Sequence, residues 1–211
     1  DWWTPKAAVS NVNAPDLNAT EWVIDFFIKV DDVSTFASAT EISRYLNGDP
    51  ITLGYLDCNP SSALNRTKGA AVFEINGSDV SDVYNSKALW RGAGITCFLD
   101  NSGAIHIGYK HNASIKPAYG GQWGGNPIHI NTTGAWNAQN NVWHHVALYK
   151  LGNQLYLYID KHAAAISEFY RINMDQDDAL IVVGGSSNRA VGNFNGQISN
   201  FRYQVCQNPS M

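Results

Sequence analysis

The segment EWVIDFFIKVDD constrains this chain more than any other. Trp22, Ile24, Phe26 and Ile28 alternate with Val23, Asp25, Phe27 and Lys29, a period of two that only an extended strand turns into one apolar face. The same alternation runs through DPITLGYLD, GAAVFEING, GITCFLDNSGAIHIGYK, HVALYKLGNQLYLYID, ALIVVGG and GQISNFRYQV. Gly, Asn and Asp punctuate the gaps between these runs, and no helical stripe of about 12 residues occurs. Two hairpins are legible: a turn over Asp100–Gly103 and a two-residue Gly152-Asn153 loop. SKALWRGAG and the region 163–179 are irregular, and either could hold a short helix. The pattern predicts one all-β domain.

Composition supports this. Only 15% of the 211 residues are charged, so the polar surface is built from Asn, Ser, Thr, Gln and Gly, which suits turns between strands. The net charge of -4, without a Lys/Arg run, excludes a basic nucleic-acid surface. No apolar stretch approaches the roughly 18 residues of a membrane span, so no membrane insertion is expected. The first residue is Asp1 rather than methionine, which suggests a processed or excised form.

Cys58, Cys97 and Cys206 allow at most one disulfide. A Cys97–Cys206 bridge and buried free thiols are both open. Five N-x-S/T sequons, at Asn18, Asn65, Asn76, Asn112 and Asn131, make candidate glycosylation sites and fit an extracellular protein.

Adjacent His144 and His145 invite a metal or acid–base reading. Counting outward from Gly152-Asn153 sets Leu148 opposite Leu157 and Val146 opposite Ile159, an apolar face. Trp143, His145, Ala147 and Tyr149 then share the other face with Tyr156, Tyr158 and Asp160. The two histidines point to opposite sides and cannot hold one metal together. His145 is expected across from Asp160, in a strand-end hydrogen bond without a nucleophile. His106, His111, His129 and His162 form no H-E-x-x-H or H-x-H spacing.

Glu21 and Asp25 share a strand face, but Val23 lies between them, and a glycoside-cleaving carboxylate pair is not apparent. Asp31-Asp32 and Asp177-Asp178 read as solvated loop ends. DDVS, DNSG and MDQDD offer oxygens for Ca2+ without matching a dedicated loop, so calcium stays open. No catalytic constellation stands out, and no catalytic residue is assigned.

The loop KPAYGGQWGGNPIHINTTGAWNAQ (116–139) is longer than compact domains usually carry. Tyr119, Trp123, Asn126 and Trp136 combine aromatic faces with an amide, which is what stacking and hydrogen bonding to a sugar require. They are the candidate carbohydrate-binding residues, although the same aromatics could plug the end of a sandwich. The cluster Tyr149, Tyr156 and Tyr158 is a second candidate if its face is open. Trp2 and Trp3 read as contacts to another segment or subunit.

VWHHVALYKLGNQLYLYID, followed by LIVVGG and FNGQISNFRY, resembles laminin-G-like domains of the concanavalin A-like superfamily, most closely in wording those of phage tail fibres and surface appendages. EWVIDFFIKV looks like the first long strand of that family, whereas Asp160-Lys161 stands where Asp-Gly is usual. The resemblance implies a two-sheet antiparallel jelly-roll sandwich over residues 20–206, with an N-terminal extension or contact segment 1–19 and a tail 207–211. It implies that Trp143 packs into the sandwich and that Gly196, Ile198 and Arg202 are framework. It further implies a binding module, often extracellular and sometimes calcium-assisted. A non-catalytic, lectin-like adhesion module for a cell-surface glycan or polysaccharide, extracellular or on a virion, is therefore expected. The alternatives are a structural, decoration or fibre protein making homo-oligomer contacts, and, further off, a polysaccharide lyase or hydrolase.

Overall fold

A computed structural model describes residues 7–10, 17–46, 69–76, 94–110, 128–169, 180–185 and 192–206. In it the alternating segments become strands. In chain order these are β1 Ala7–Ser10, β2 Glu21–Val30, β3 Gly69–Asn76, β4 Gly94–Leu99, β5 Ile105–Lys110, β6 Ile128–Asn131, β7 Trp143–Leu151, β8 Gln154–Ile159, β9 His162–Glu168, β10 Leu180–Val183, β11 Gly192–Asn193 and β12 Gly196–Val205. A single helix among the described residues, α1 Ala39–Leu46, follows a 3-10 turn at Val33–Thr35. DPITLGYLD, residues 86–93 of SKALWRGAG and residues 170–179 lie outside the described residues, and 163–168 belong to β9 rather than to a helix.

The strands form two open sheets. One has the order β1-β10-β3-β4-β5-β6 with β11 beside β3, and the other has the order β12-β2-β7-β8-β9. The ladders are antiparallel except for the short β11–β3 pair. β1 joins the first sheet although it lies in the segment expected to be an extension.

Between the sheets, inward residues interleave. Trp22, Ile24, Phe26, Ile28 and Val30 of β2 meet Phe73, Ile95, Cys97, Ile107 and Tyr109 of the opposite sheet in one cluster. Phe26 lies 5.5 Å from Phe73 and 5.8 Å from Phe201, so aromatic contacts bridge the two layers. At one end Tyr109 stacks on Phe169 at 5.0 Å and its hydroxyl donates to the Glu168 carbonyl at 2.7 Å, which satisfies the one polar atom of a buried ring. Trp22 Nε1 likewise donates to the Leu17 carbonyl at 2.9 Å.

β12 pairs with β2 along its whole length, but a bulge between Ser199 and Arg202 changes its parity. Asn200 adopts φ +53 at this point. The extra residue lets both Ile198 and Phe201 pack on the core, which strict alternation forbids. Helix α1 begins with a reciprocal cap. Glu41 N–H donates to Ser38 Oγ, and Ser38 N–H donates to Glu41 Oε2 at 2.8 Å. Its Ile42 and Leu46 are buried, and Leu46 fits over Gly108, where a Cβ would come within 2.5 Å of Leu46 Cδ2. This helix thus covers part of the outer face of the first sheet.

Candidate functional site

Alternation leaves the outer face of the five-stranded sheet to the opposite set of side chains. Its register lays them out in rows across the strands. One row runs Gln197, Lys29, Trp143, and the next Ser199, Phe27, His145. The central row is Arg202, Asp25, Ala147, Tyr158, Ala163, followed by Gln204, Val23, Tyr149, Tyr156, Ile166. The last row is Glu21, Leu151, Gln154, Glu168. Phe27 is 39% exposed, Trp143 45% and Ile166 61%, so the face is open to solvent and carries aromatic surface. Exposed aromatic side chains gathered on one sheet face point to an interaction site.

The polar groups of this face are held in place. Arg202 Nε donates to Asp25 Oδ1 at 2.7 Å and Nη2 to Oδ2 at 2.6 Å, a bidentate fork that raises the pKa of the guanidinium and fixes its plane. Tyr149 hydroxyl donates to Glu21 Oε2 at 3.5 Å. Partial burial and the Glu21 charge push the Tyr149 hydroxyl above its ordinary value, so it stays a neutral donor. Tyr156 hydroxyl donates to Gln154 Oε1, and Tyr156 and Tyr158 stack at 6.3 Å with 25° between their planes. Lys29 Nζ stands 5.7 Å from the Trp143 ring.

Two expectations are corrected here. Trp143 does not pack into the sandwich. Its neighbour His144 takes the inward side with Val146 and Leu148, so the pleat forces the indole outward. The imidazole bound to Asp160 is that of His144, not His145. His144 Nδ1 lies 2.7 Å from Asp160 Oδ2, while His145 contributes only its backbone N–H to Oδ1 at 2.9 Å. Asp160 has φ +50 and Lys161 φ +71, a two-residue turn that carries the carboxylate off the strand toward the sandwich end. Gly196 and Ile198 pack against the backbone and core at the closing strand, whereas Arg202 stands on the open outer face with its guanidinium exposed.

Of the loop candidates, Tyr119, Trp123 and Asn126 lie outside the described residues. Trp136 is half-buried against the core and meets His144 edge-on at 4.9 Å. Thr132 Oγ1 donates to its carbonyl at 3.0 Å. Among the sequons, Asn131 is exposed and its Oδ1 accepts from Thr133 N–H at 3.1 Å, and Asn18 is half-buried. Asn76 ends β3, while Asn65 and Asn112 are not among the described residues. Cys97 and Cys206 are free thiols, and burial pushes the Cys97 thiol up. Glu21 and Asp25 share the outer face as the alternation predicts, but Arg202 occupies Asp25.

The other sheet holds a cluster that sequence reasoning missed. Asp100 Oδ2 lies 2.8 Å from His106 Nε2, and His106 Nδ1 lies 2.8 Å from His129 Nε2. Asp100 and His106 are buried. A carboxylate only accepts, so His106 Nε2–H donates to Asp100, and the His106 Nδ1–His129 Nε2 contact holds a single proton between the two rings. Burial and the neighbouring His106 hold His129 down at about 4, so it is neutral at pH 7. Among the described residues no hydroxyl or thiol is hydrogen-bonded to His129, and no group of three His, Cys, Asp or Glu converges as for a metal. The arrangement is a structural polar chain tying the β4–β5 turn to the edge strand β6.

An acid titration checks this chain. His129 binds a proton near 6.5 when unfolded and near 4 when folded, so stability should fall as pH drops from 6.5 through 4. The loss is expected to be about 1–2 kcal/mol, reduced from the full shift because the ring is partly exposed. Urea melts at a series of pH values should show it, and His129→Gln should flatten that part of the profile.

Comparison with known proteins agrees with this architecture. A laminin G family model, described as the concanavalin A-like lectin/glucanases superfamily, matches residues 84–204. No curated protein sequence matches the chain. Among solved structures, the CBM40 of a Ruminococcus gnavus IT-sialidase, bound to alpha2,3 sialyllactose, is similar with TM-score 0.51 and 11% identity, over 96% of this chain and 89% of that one. The LG1-3 region of the laminin alpha2 chain gives 0.53 and 10%, over 94% of this chain and 29% of that one. Domains LG4-5 of mouse laminin alpha1 give 0.49 and 11%, over 95% of this chain, which spans only 38% of that one. No helix among the described residues is long and apolar enough to cross a membrane. With more than half of its length matched and the two-sheet sandwich in place, this chain belongs to the laminin G-type family of the concanavalin A-like lectin/glucanases superfamily.

Proposed function

We propose that this chain is a non-catalytic glycan-binding module serving attachment at an extracellular or virion surface. Its ligand lies on the outer face of the five-stranded sheet. One observation carries the reading. Phe27, Trp143, Tyr149, Tyr156 and Tyr158 share one solvent-facing side of a rigid ladder, interleaved with side chains already fixed by hydrogen bonds. Aromatic faces take up the apolar C–H side of a pyranose, and pre-oriented donors and acceptors meet its hydroxyls at little further entropic cost. The R. gnavus module, bound to sialyllactose, is a sugar binder on the same fold. The loop carrying Tyr119, Trp123 and Asn126 is a second contact region in this proposal.

A glycan array read with wild type, Tyr158→Ala and Trp123→Ala tests it. Tyr158→Ala is expected to weaken the best-bound glycan at least about tenfold, or 1.4 kcal/mol, with an unchanged melting temperature. Retention of no glycan at all would sink the function. Loss confined to Trp123→Ala would move the ligand from the sheet to the loop.

A further inference from the structure

In the central row of the outer face the smallest side chain is flanked by large ones. Ala147 presents a single methyl where its lattice neighbours are large: His145 and Tyr149 along β7, Asp25 and Tyr158 across it. His145 and Tyr149 are four residues apart on the strand, about 13 Å, and Asp25 and Tyr158 are two strand spacings apart, about 9.5 Å. A floor of one methyl inside such walls has the footprint of one pyranose ring. One wall is the clamped Asp25–Arg202 pair, whose carboxylate is almost buried and whose guanidinium stays exposed.

The charges around this position decide what it accepts. Arg202 gives two of its donors to Asp25 and is neutralised by it, so its outward N–H groups are donors without net charge behind them. Lys29 stands at one end of the rows beside Trp143, and Glu21 at the other end accepts from Tyr149. One ammonium at the far end, set against the Glu21 carboxylate and a net charge of -4 on the chain, makes no positive field to collect an anion.

Resting on the glycan-binding reading above, we propose that Ala147 is the floor of a sugar subsite that selects neutral glycans over sialylated or uronic-acid ones. The apolar face of the ring sits on the Ala147 methyl and against Tyr158. Its hydroxyls accept from the free N–H groups of Arg202 and exchange hydrogen bonds with Tyr149. A carboxylate-bearing sugar finds the only guanidinium of the row already paired.

Calorimetry of the full chain against neutral oligosaccharides and their sialylated or uronic counterparts, at low and high salt, tests this. Neutral ligands are expected to bind more tightly, with affinity changing less than about threefold between the salt conditions. Ala147→Trp fills this position from the solvent side and is expected to weaken binding at least about 30-fold while keeping the melting temperature. Ala147→Leu, a smaller filling, is the second variant should the indole disturb folding. Tighter binding of anionic glycans that weakens with salt would overturn the selectivity. Wild-type affinity in both Ala147 variants, with Tyr158→Ala or Trp123→Ala still impaired, would overturn the subsite and leave the glycan-binding function standing. Absence of binding to every glycan would instead remove the function beneath it.

Discussion

Asp100→Ala is expected to cost about 3–5 kcal/mol of unfolding free energy, measured by urea denaturation. The carboxylate is wholly buried and accepts four hydrogen bonds. Oδ1 takes Ser102 N–H at 2.8 Å, Ser102 Oγ–H at 2.6 Å and Ala104 N–H at 2.9 Å, and Oδ2 takes His106 Nε2–H at 2.8 Å. Alanine would strand two backbone donors of a three-residue turn and leave a buried imidazole without its acceptor. Asp100→Asn separates charge from shape. Its amide oxygen can keep the turn, and its NH2 group would force His106, and then His129, into the other tautomer. A loss of about 1–2 kcal/mol is expected for it, with exchanged imidazole nitrogen shifts by NMR. Burial alone would raise the Asp100 carboxyl, but hydrogen bonds from His106, Ser102 and Ala104 outweigh it and hold it at about 2. Its folded value lies below the unfolded one, so its contribution is complete above pH 3.8 and disappears as pH falls through 2. An Asp100→Asn acid profile no different from wild type in that range would contradict this account.

Gly196→Ala is expected to cost about 2–4 kcal/mol, also by urea denaturation. Gly196 opens β12 opposite Val30 with φ +156. A Cβ there would collide with the Lys29 carbonyl oxygen, and it would lie 2.9 Å from Phe194 Cε1 and 3.1 Å from Val30 Cα. Two of those three neighbours are backbone in the central ladder, so nothing can yield without moving β2. Gly134→Ala is the control. It has φ +78 but open space around its Cβ, so only the left-handed strain of about 1–2 kcal/mol applies. Equal losses at the two sites would mean that close approach is not what fixes Gly196.

Much of the fold was legible because alternation is a local property. Val146 opposite Ile159 and Leu148 opposite Leu157 follow from a two-residue turn by counting, and the ladder agrees. The same parity places Trp143 outside, and there it outweighs what the family resemblance implies. The helix at Ala39–Leu46 is not legible by period, because eight residues give too few turns for a stripe, although Ser38 and Glu41 form a recognisable cap. The Asp160 partner escapes the sequence for a different reason. Register fixes which backbones face each other, but a turn with positive φ re-aims the side chain.

The candidate face divides in the same way. That Tyr149, Tyr156 and Tyr158 share a side was readable from one hairpin. That Phe27, Asp25 and Arg202 join them was not, because β2 and β12 reach that sheet from opposite ends of the chain. The Asp100–His106–His129 chain shows the limit most plainly. Parity puts His106 and His129 on the outer side of their own strands, yet nothing local says that β5 and β6 are neighbours.

The sequence by itself determined most of the strands, the face each side chain takes along an unbroken one, and the family, since these depend on period, turn residues and a contiguous motif. Only the tertiary structure decided which strands lie side by side, where the bulge at Asn200 shifts the parity of β12, and which outward face stays open. Those are settled by the pairing of segments far apart in the chain, where burial of the shared core outweighs any local preference.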